Sequence, residues 1–221
     1  MAFDIKNVDP EWEDLFLSND DYFRKGYNSE NERYTEIVMT SLIKHGYKPA
    51  IFWRACRYLD DTAQYYGYEK YEYRNVNDQI NRNYIYAIKE LERLADSGYV
   101  RADLEIARAM VRRQGIEYDY DILMALYTLY IKDYDKVDPV LLEIDEKTAE
   151  ELVSDAYMEV AEIHFAMFKH CKGLNQQQTE LMVNHIEGLY SMAESHNSNS
   201  MLPLLGRHRL KKFLNGEQTA F

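Results

Sequence analysis

The sequence predicts an all-α fold of stacked antiparallel helix pairs, a short α-solenoid-like single domain, and three observations carry that expectation. Glycine and proline are sparse, nine and four in 221 residues, so long uninterrupted elements should form. Where they do occur, they separate segments whose apolar residues recur at three- and four-residue spacing, the helical period. The chain also matches itself at a constant interval, as helical repeat arrays do.

Taken in order, the first helix is expected over 28–45, with Tyr34, Ile37, Val38 and Leu42 on one stripe and Gly46 in the C-capping position. Pro49 then suits the first turn of a second helix, which carries Phe52, Ala55, Cys56 and Leu59 and runs to Gly67. A third, from about position 78 to Gly98, carries Ile85, Ile88, Leu91 and Leu94; a fourth carries Leu104, Ala107, Met110 and Val111 and ends at Gly115. Further helices are expected over 121–133, after Pro139, over 148–172 up to Gly173, over 175–196 and over 204–214. Within the single domain, 1–27 reads as an N-terminal acidic segment, 28–135 as two repeat-like helix pairs with a Tyr-rich insertion over 60–82, and 136–221 as the C-terminal helices.

The internal match pairs Leu42, Gly46, Tyr47, Ala50 and Ala55 with Leu94, Gly98, Tyr99, Ala102 and Ala107, each pair 52 residues apart, and Tyr34 keeps register with Tyr86. A glycine able to take positive φ, followed by small alanines, lets two antiparallel helices turn sharply and approach closely. Gly46, Gly98 and Gly115 are therefore the expected structural turns. A degenerate third copy is expected around 189–204, with His196 in place of the glycine and Pro203 inside its second helix.

The stretch from Leu94 through Ala95, Gly98, Ala102, Ala107 and Gly115 to Asp119-Tyr120 resembles a Sel-one-like repeat, the helix-pair relative of the tetratricopeptide repeat. Ile106-Ala107 stands where that family has Leu-Gly, and the interval of 52 exceeds its usual period because of the Tyr-rich insertion. The resemblance covers about 40 residues clearly. It implies a helical scaffold that binds other proteins and has no chemistry of its own.

Composition narrows the function from another side. With 26 Lys+Arg against 38 Asp+Glu the net charge is -12, which opposes direct binding to nucleic acid or an anionic membrane surface. No apolar run is long enough for a bilayer span and the first residues lack the charge and apolar pattern of an export signal, so a cytoplasmic protein is expected. Cys56 and Cys171 fall on apolar helix faces and read as reduced core residues.

Candidate chemistry is thin. His164 and His185 lie on the apolar stripes of consecutive helices, where their imidazoles could meet to share a proton or a metal, or each be a core histidine with one polar neighbour. Neither Glu-x-x-His nor His-Glu-x-x-His occurs, so no metal or other cofactor is expected. Around Asp133, Asp135 and Asp138 the alternate carboxylates lack the central glycine and the terminal glutamate of a calcium loop. Cys171 beside His170 is a poor nucleophile and base, since adjacent helical residues point about 100° apart. No catalytic residue is assigned.

The unusual features are acid and tyrosine. Between positions 117 and 162 fourteen Asp+Glu stand against three lysines, a local -11, while Arg207, Arg209, Lys211 and Lys212 form a short basic face. There are 20 tyrosines against eight phenylalanines. Tyrosine combines large contact area with a polar tip, so it suits interfaces. The reading is a non-enzymatic protein-binding protein, most concretely an acidic inhibitor or immunity-type protein neutralising a basic partner such as a nuclease. Its contact residues would be Asp133, Asp135, Asp138, Glu143, Asp145 and Glu146 with Tyr118, Tyr120 and Tyr134. The alternatives are a general scaffold of the Sel-one-like kind and an enzyme with a buried site of His164, His185 and Cys171.

Overall fold

The computed structural model describes residues 29–66, 74–112, 119–145 and 147–216, with side chains over 37–59, 82–112, 119–142 and 147–216. Among the described residues every regular element is helical. In chain order these are α1 (Ser29–Lys44), α2 (Lys48–Tyr66), α3 (Arg74–Asp96), α4 (Arg101–Arg112), α5 (Tyr120–Asp133), a 3-10 turn (Tyr134–Lys136), α6 (Pro139–Asp145), α7 (Ala149–His170), α8 (Gln176–His196) and α9 (Leu202–Leu214). By their contacts the residues group into two compact units, one formed by 1–119 and 136–146, the other by 120–135 and 147–221.

In the first unit, α1 packs on α2, α2 on α3 and α3 on α4. The turns at Gly46 and Gly98 are alike in detail. Gly46 has φ 80° and Gly98 φ 79°. At the first turn the Gly46 N–H donates to the Ile43 carbonyl at 3.0 Å and the Tyr47 N–H to the Leu42 carbonyl at 3.0 Å. At the second, Gly98 donates to Ala95 at 2.8 Å and Tyr99 to Leu94 at 3.0 Å. This paired 5→2 and 6→1 pattern is the Schellman C-cap, which needs a left-handed residue where each glycine stands. Leu42, Tyr47, Ala50 and Ala55 are buried, as are Leu94, Tyr99, Ala102 and Ala107, so the alanines do let each following helix come close. Gly98→Val is expected to cost about 1–3 kcal/mol through backbone strain alone, because a Cβ there would meet nothing within 4 Å. A thermal melt equal to the parent's would refute the turn argument.

Several details differ from the expectation. Ile37 and Ile85, placed on the buried stripes, are 61% and 52% exposed, because each lies on the solvent side of its helix. The insertion over 60–82 is mostly helix: α2 runs to Tyr66 and α3 starts at Arg74, so it lengthens the pair. Of its clustered tyrosines, Tyr65 and Tyr66 end α2, while Tyr68, Tyr71 and Tyr73, like Gly115, lie outside the described residues. Cys56 is half-buried and Cys171 exposed, the latter because it is the C-cap of α7 and no longer on its buried face.

The second unit is built on α7, whose buried face carries Val153, Met158, Ala161, Phe165 and Phe168. Thr148 caps it reciprocally with Glu151, and Asn175 caps α8 with Gln178 in the same way. Ile186, Tyr190 and Ala193 of α8 and Leu210 of α9 complete this core. Phe213 sets its ring edge-on to Phe165 and Phe168 at 5.7 and 5.5 Å. Where a third copy was expected, Pro203 sits in the first turn of α9, where a missing N–H costs nothing, and not in the helix interior. Gly206 gives this pair its close approach: a Cβ built there would lie 2.5 Å from the Tyr190 ring.

Candidate functional site

The residues expected to bind a partner have several different fates. The acidic stretch is divided between the two units, with Asp133 and Asp135 in one and Asp138 in the other. Asp138 serves the fold: its carboxylate accepts from the Val140 N–H at 3.1 Å at the start of α6 and faces the buried Tyr99 phenol. Burial pushes its carboxyl up, against the pull of that backbone donor, Tyr99 and Lys48. Tyr99 in turn is raised well above the usual phenol range, first by burial and then by the charge of Asp138. Asp133 is half-buried and Asp135 exposed. Glu143 and Asp145 lie on α6, outside the described side chains, and Tyr118 and Glu146 lie outside the described residues altogether.

Tyr120 and Tyr134 are drawn into an arrangement that the sequence reading missed. On α5 and the turn after it, Tyr120, Tyr127 and Tyr134 recur every seven residues, so they fall on one face. Each reaches a polar group of α7: Tyr120 pairs its hydroxyl with His164 Nε2 at 3.0 Å, Tyr127 donates to Glu159 at 2.7 Å, and Tyr134 donates to Glu150 at 2.8 Å. The partners run backwards as the tyrosines run forwards, the register of an antiparallel helix pair. The seven-residue recurrence of Tyr120, Tyr127 and Tyr134 was the signal that could have shown it, although their partners His164, Glu159 and Glu150 are not equally spaced.

The two ends of this ladder are polar clusters. At one, Glu150 also takes a hydrogen bond from His196, whose ring stacks on Tyr157 at 5.7 Å with Tyr134 edge-on at 5.5 Å. His196 first and Tyr134 second hold the Glu150 carboxyl below the usual range, and the Glu150 bond raises the Tyr134 phenol. At the other, His164 and His185 do meet, ring centroids 4.5 Å apart and tilted by 73°. His164 is half-buried and its affinity for a proton is lowered, by burial and then by His185, while His185 is exposed and so not the core residue expected. Cys171 stands seven residues beyond His164, about 10 Å along the helix. Among the described residues no group of three or more His, Cys, Asp or Glu is placed to hold a metal ion.

The basic face splits by chemistry. Arg207 donates to Glu187 at 3.2 Å, to Glu194 at 2.7 Å and to the Ser191 hydroxyl at 3.0 Å; Arg209 donates to Glu162 at 2.6 Å. Glu162 also accepts from Tyr190 at 3.0 Å, and burial followed by that negative charge pushes the Tyr190 phenol far up. No described helix is long and apolar enough to cross a membrane. Comparison of the chain with protein-family models, with curated proteins and with solved structures gave no match.

Proposed function

We propose that the protein is a non-enzymatic protein-binding protein of the acidic inhibitor type, which engages a basic partner. The observation that carries this is the outer face of α5. There Ile122 and Leu129, about half exposed, line up with exposed Ala125 at helical spacing, with the exposed Asp121 beside them and the exposed Asp135 just beyond the helix. A solvated face has little reason to show an apolar stripe at i, i+3 and i+7, whereas a contact face does. The charge of -11 that the sequence carries over 117–162 would speed the approach of a basic surface, and the apolar stripe would slow its departure. Because Asp138 is committed to the fold, it is left out of the contact set proposed from the sequence.

A scaffold of the Sel-one-like kind is the second reading, and the equivalent turns at Gly46 and Gly98 favour it. The two differ in what the acid does. For a partner captured on the immobilised protein, reversing Asp133, Asp135, Glu143, Asp145 and Glu146 to lysine should lower the association rate by about tenfold or more at low salt. Ile122→Ser with Leu129→Ser should instead raise the dissociation rate. Retention of both the rate and its salt dependence after charge reversal would remove the inhibitor reading and leave the scaffold.

A further inference from the structure

The face of α9 turned away from its core is unlike any other helix face described. At about 100° per residue, Pro203, Gly206 and Leu210 form the buried side, with half-buried Phe213. Met201, Leu204, Leu205, His208, Lys211 and Lys212 fall opposite. Met201, Leu204 and Leu205, with neighbouring Leu202, are each exposed by half or more, a contiguous run of large apolar side chains in water. The arginines of this helix are held by Glu187, Glu194 and Glu162 of the neighbouring helices. Lys211 and Lys212, about two turns beyond Leu204 and Leu205 on the same side of the helix, are the cations that remain, and no ion pair engages them among the described residues.

We infer that this face docks an acidic amphipathic helical segment of a partner protein. The leucines would take its apolar stripe and Lys211 and Lys212 its carboxylates, one helix packing on another. Charge decides the occupant. A segment lying on α9 senses mainly the charges within a Debye length, about 10 Å at 0.1 M salt; there Glu162, Glu187 and Glu194 offset Arg207 and Arg209, and Lys211 and Lys212 are the positive charges left for it. An anionic bilayer would confront the whole molecule, whose net charge is -12. The α9 of a second copy has no carboxylate of its own to offer Lys211 and Lys212. The inference is independent of the α5 proposal, since it concerns a different helix and the opposite charge.

The test uses the whole protein and a synthetic helical peptide of about 14 residues, four turns, with leucines at i, i+3 and i+7 flanked by glutamates. A second peptide carries lysines in place of the glutamates. Calorimetry should show saturable binding of the acidic peptide and at least about tenfold weaker binding of the basic one. Leu204→Ser with Leu205→Ser, and separately Lys211→Glu with Lys212→Glu, should each weaken the acidic peptide about tenfold, while the thermal melt stays unchanged because all four side chains lie on the outer face. Absence of saturable binding, or equal binding of both peptides, would overturn the inference. So would sedimentation with vesicles of phosphatidylcholine and about one third phosphatidylserine, lost in the leucine variant, which would make the face a lipid surface. A concentration-dependent dimer abolished by the same variant would assign the face to self-association and overturn it equally.

Discussion

Glu105→Ala is expected to destabilise the first unit by about 3–5 kcal/mol, the cost of breaking a buried ion pair by removing one partner. Glu105 is 8% exposed and accepts from Arg108 at 2.8 Å, with Arg101, 6% exposed, at 3.2 Å. Deleting the carboxylate takes away the negative charge that both guanidiniums face inside the core. Burial alone would raise this carboxyl, but Arg108 and then Arg101 more than offset it and hold it below the usual range. The sign of the pH dependence follows. The folded value is depressed, so the contribution is present above the unfolded carboxyl value, about pH 4, and is lost as pH falls through the folded value. Urea melts over that window should show the parent losing its advantage while the alanine variant changes little there. An unchanged midpoint at neutral pH would show that the charge cluster is worth nothing to the fold.

Gly206→Ala is the second large effect. The added methyl would stand 2.5 Å from Tyr190 Cε1 and 2.6 Å from Cζ, and Tyr190 is fully buried with its hydroxyl held by Glu162. A flexible side-chain tip could yield at small cost; a packed ring tied at its far end cannot move without opening the α8–α9 contact. Overpacking of this kind costs about 1–3 kcal/mol. Tyr190→Leu should relieve the clash, so the double variant should be less destabilised than the two single losses added together. Strict additivity in thermal melts would mean that the glycine does not set the helix spacing.

The contrast between those two sites says where sequence reasoning reached. Helix positions, the turns at Gly46 and Gly98 and the small residues after them were legible, because they depend on local physics: apolar periodicity, the left-handed freedom of glycine, the missing methylenes of alanine. Long-range pairing was not. The seven-residue spacing of Tyr120, Tyr127 and Tyr134 puts them on one face but does not mark them as partners of α7, since a phenol at helical spacing suits an interface as well as a neighbouring helix. The same limit applies to Asp138, one more acid in an acidic run until the fold sets it against Tyr99 and the first turn of α6. On α9 the residue types were plain, but only packing separated the two arginines, clamped by carboxylates from α7 and α8, from the two lysines left on the same side as exposed leucines. The sequence by itself determined which segments are helical and how the repeated turns are made, because those energies are summed over near neighbours along the chain. The tertiary structure alone decided which charges and phenols are spent on the fold and which face water, because desolvation and pairing depend on groups that meet only after the helices have packed.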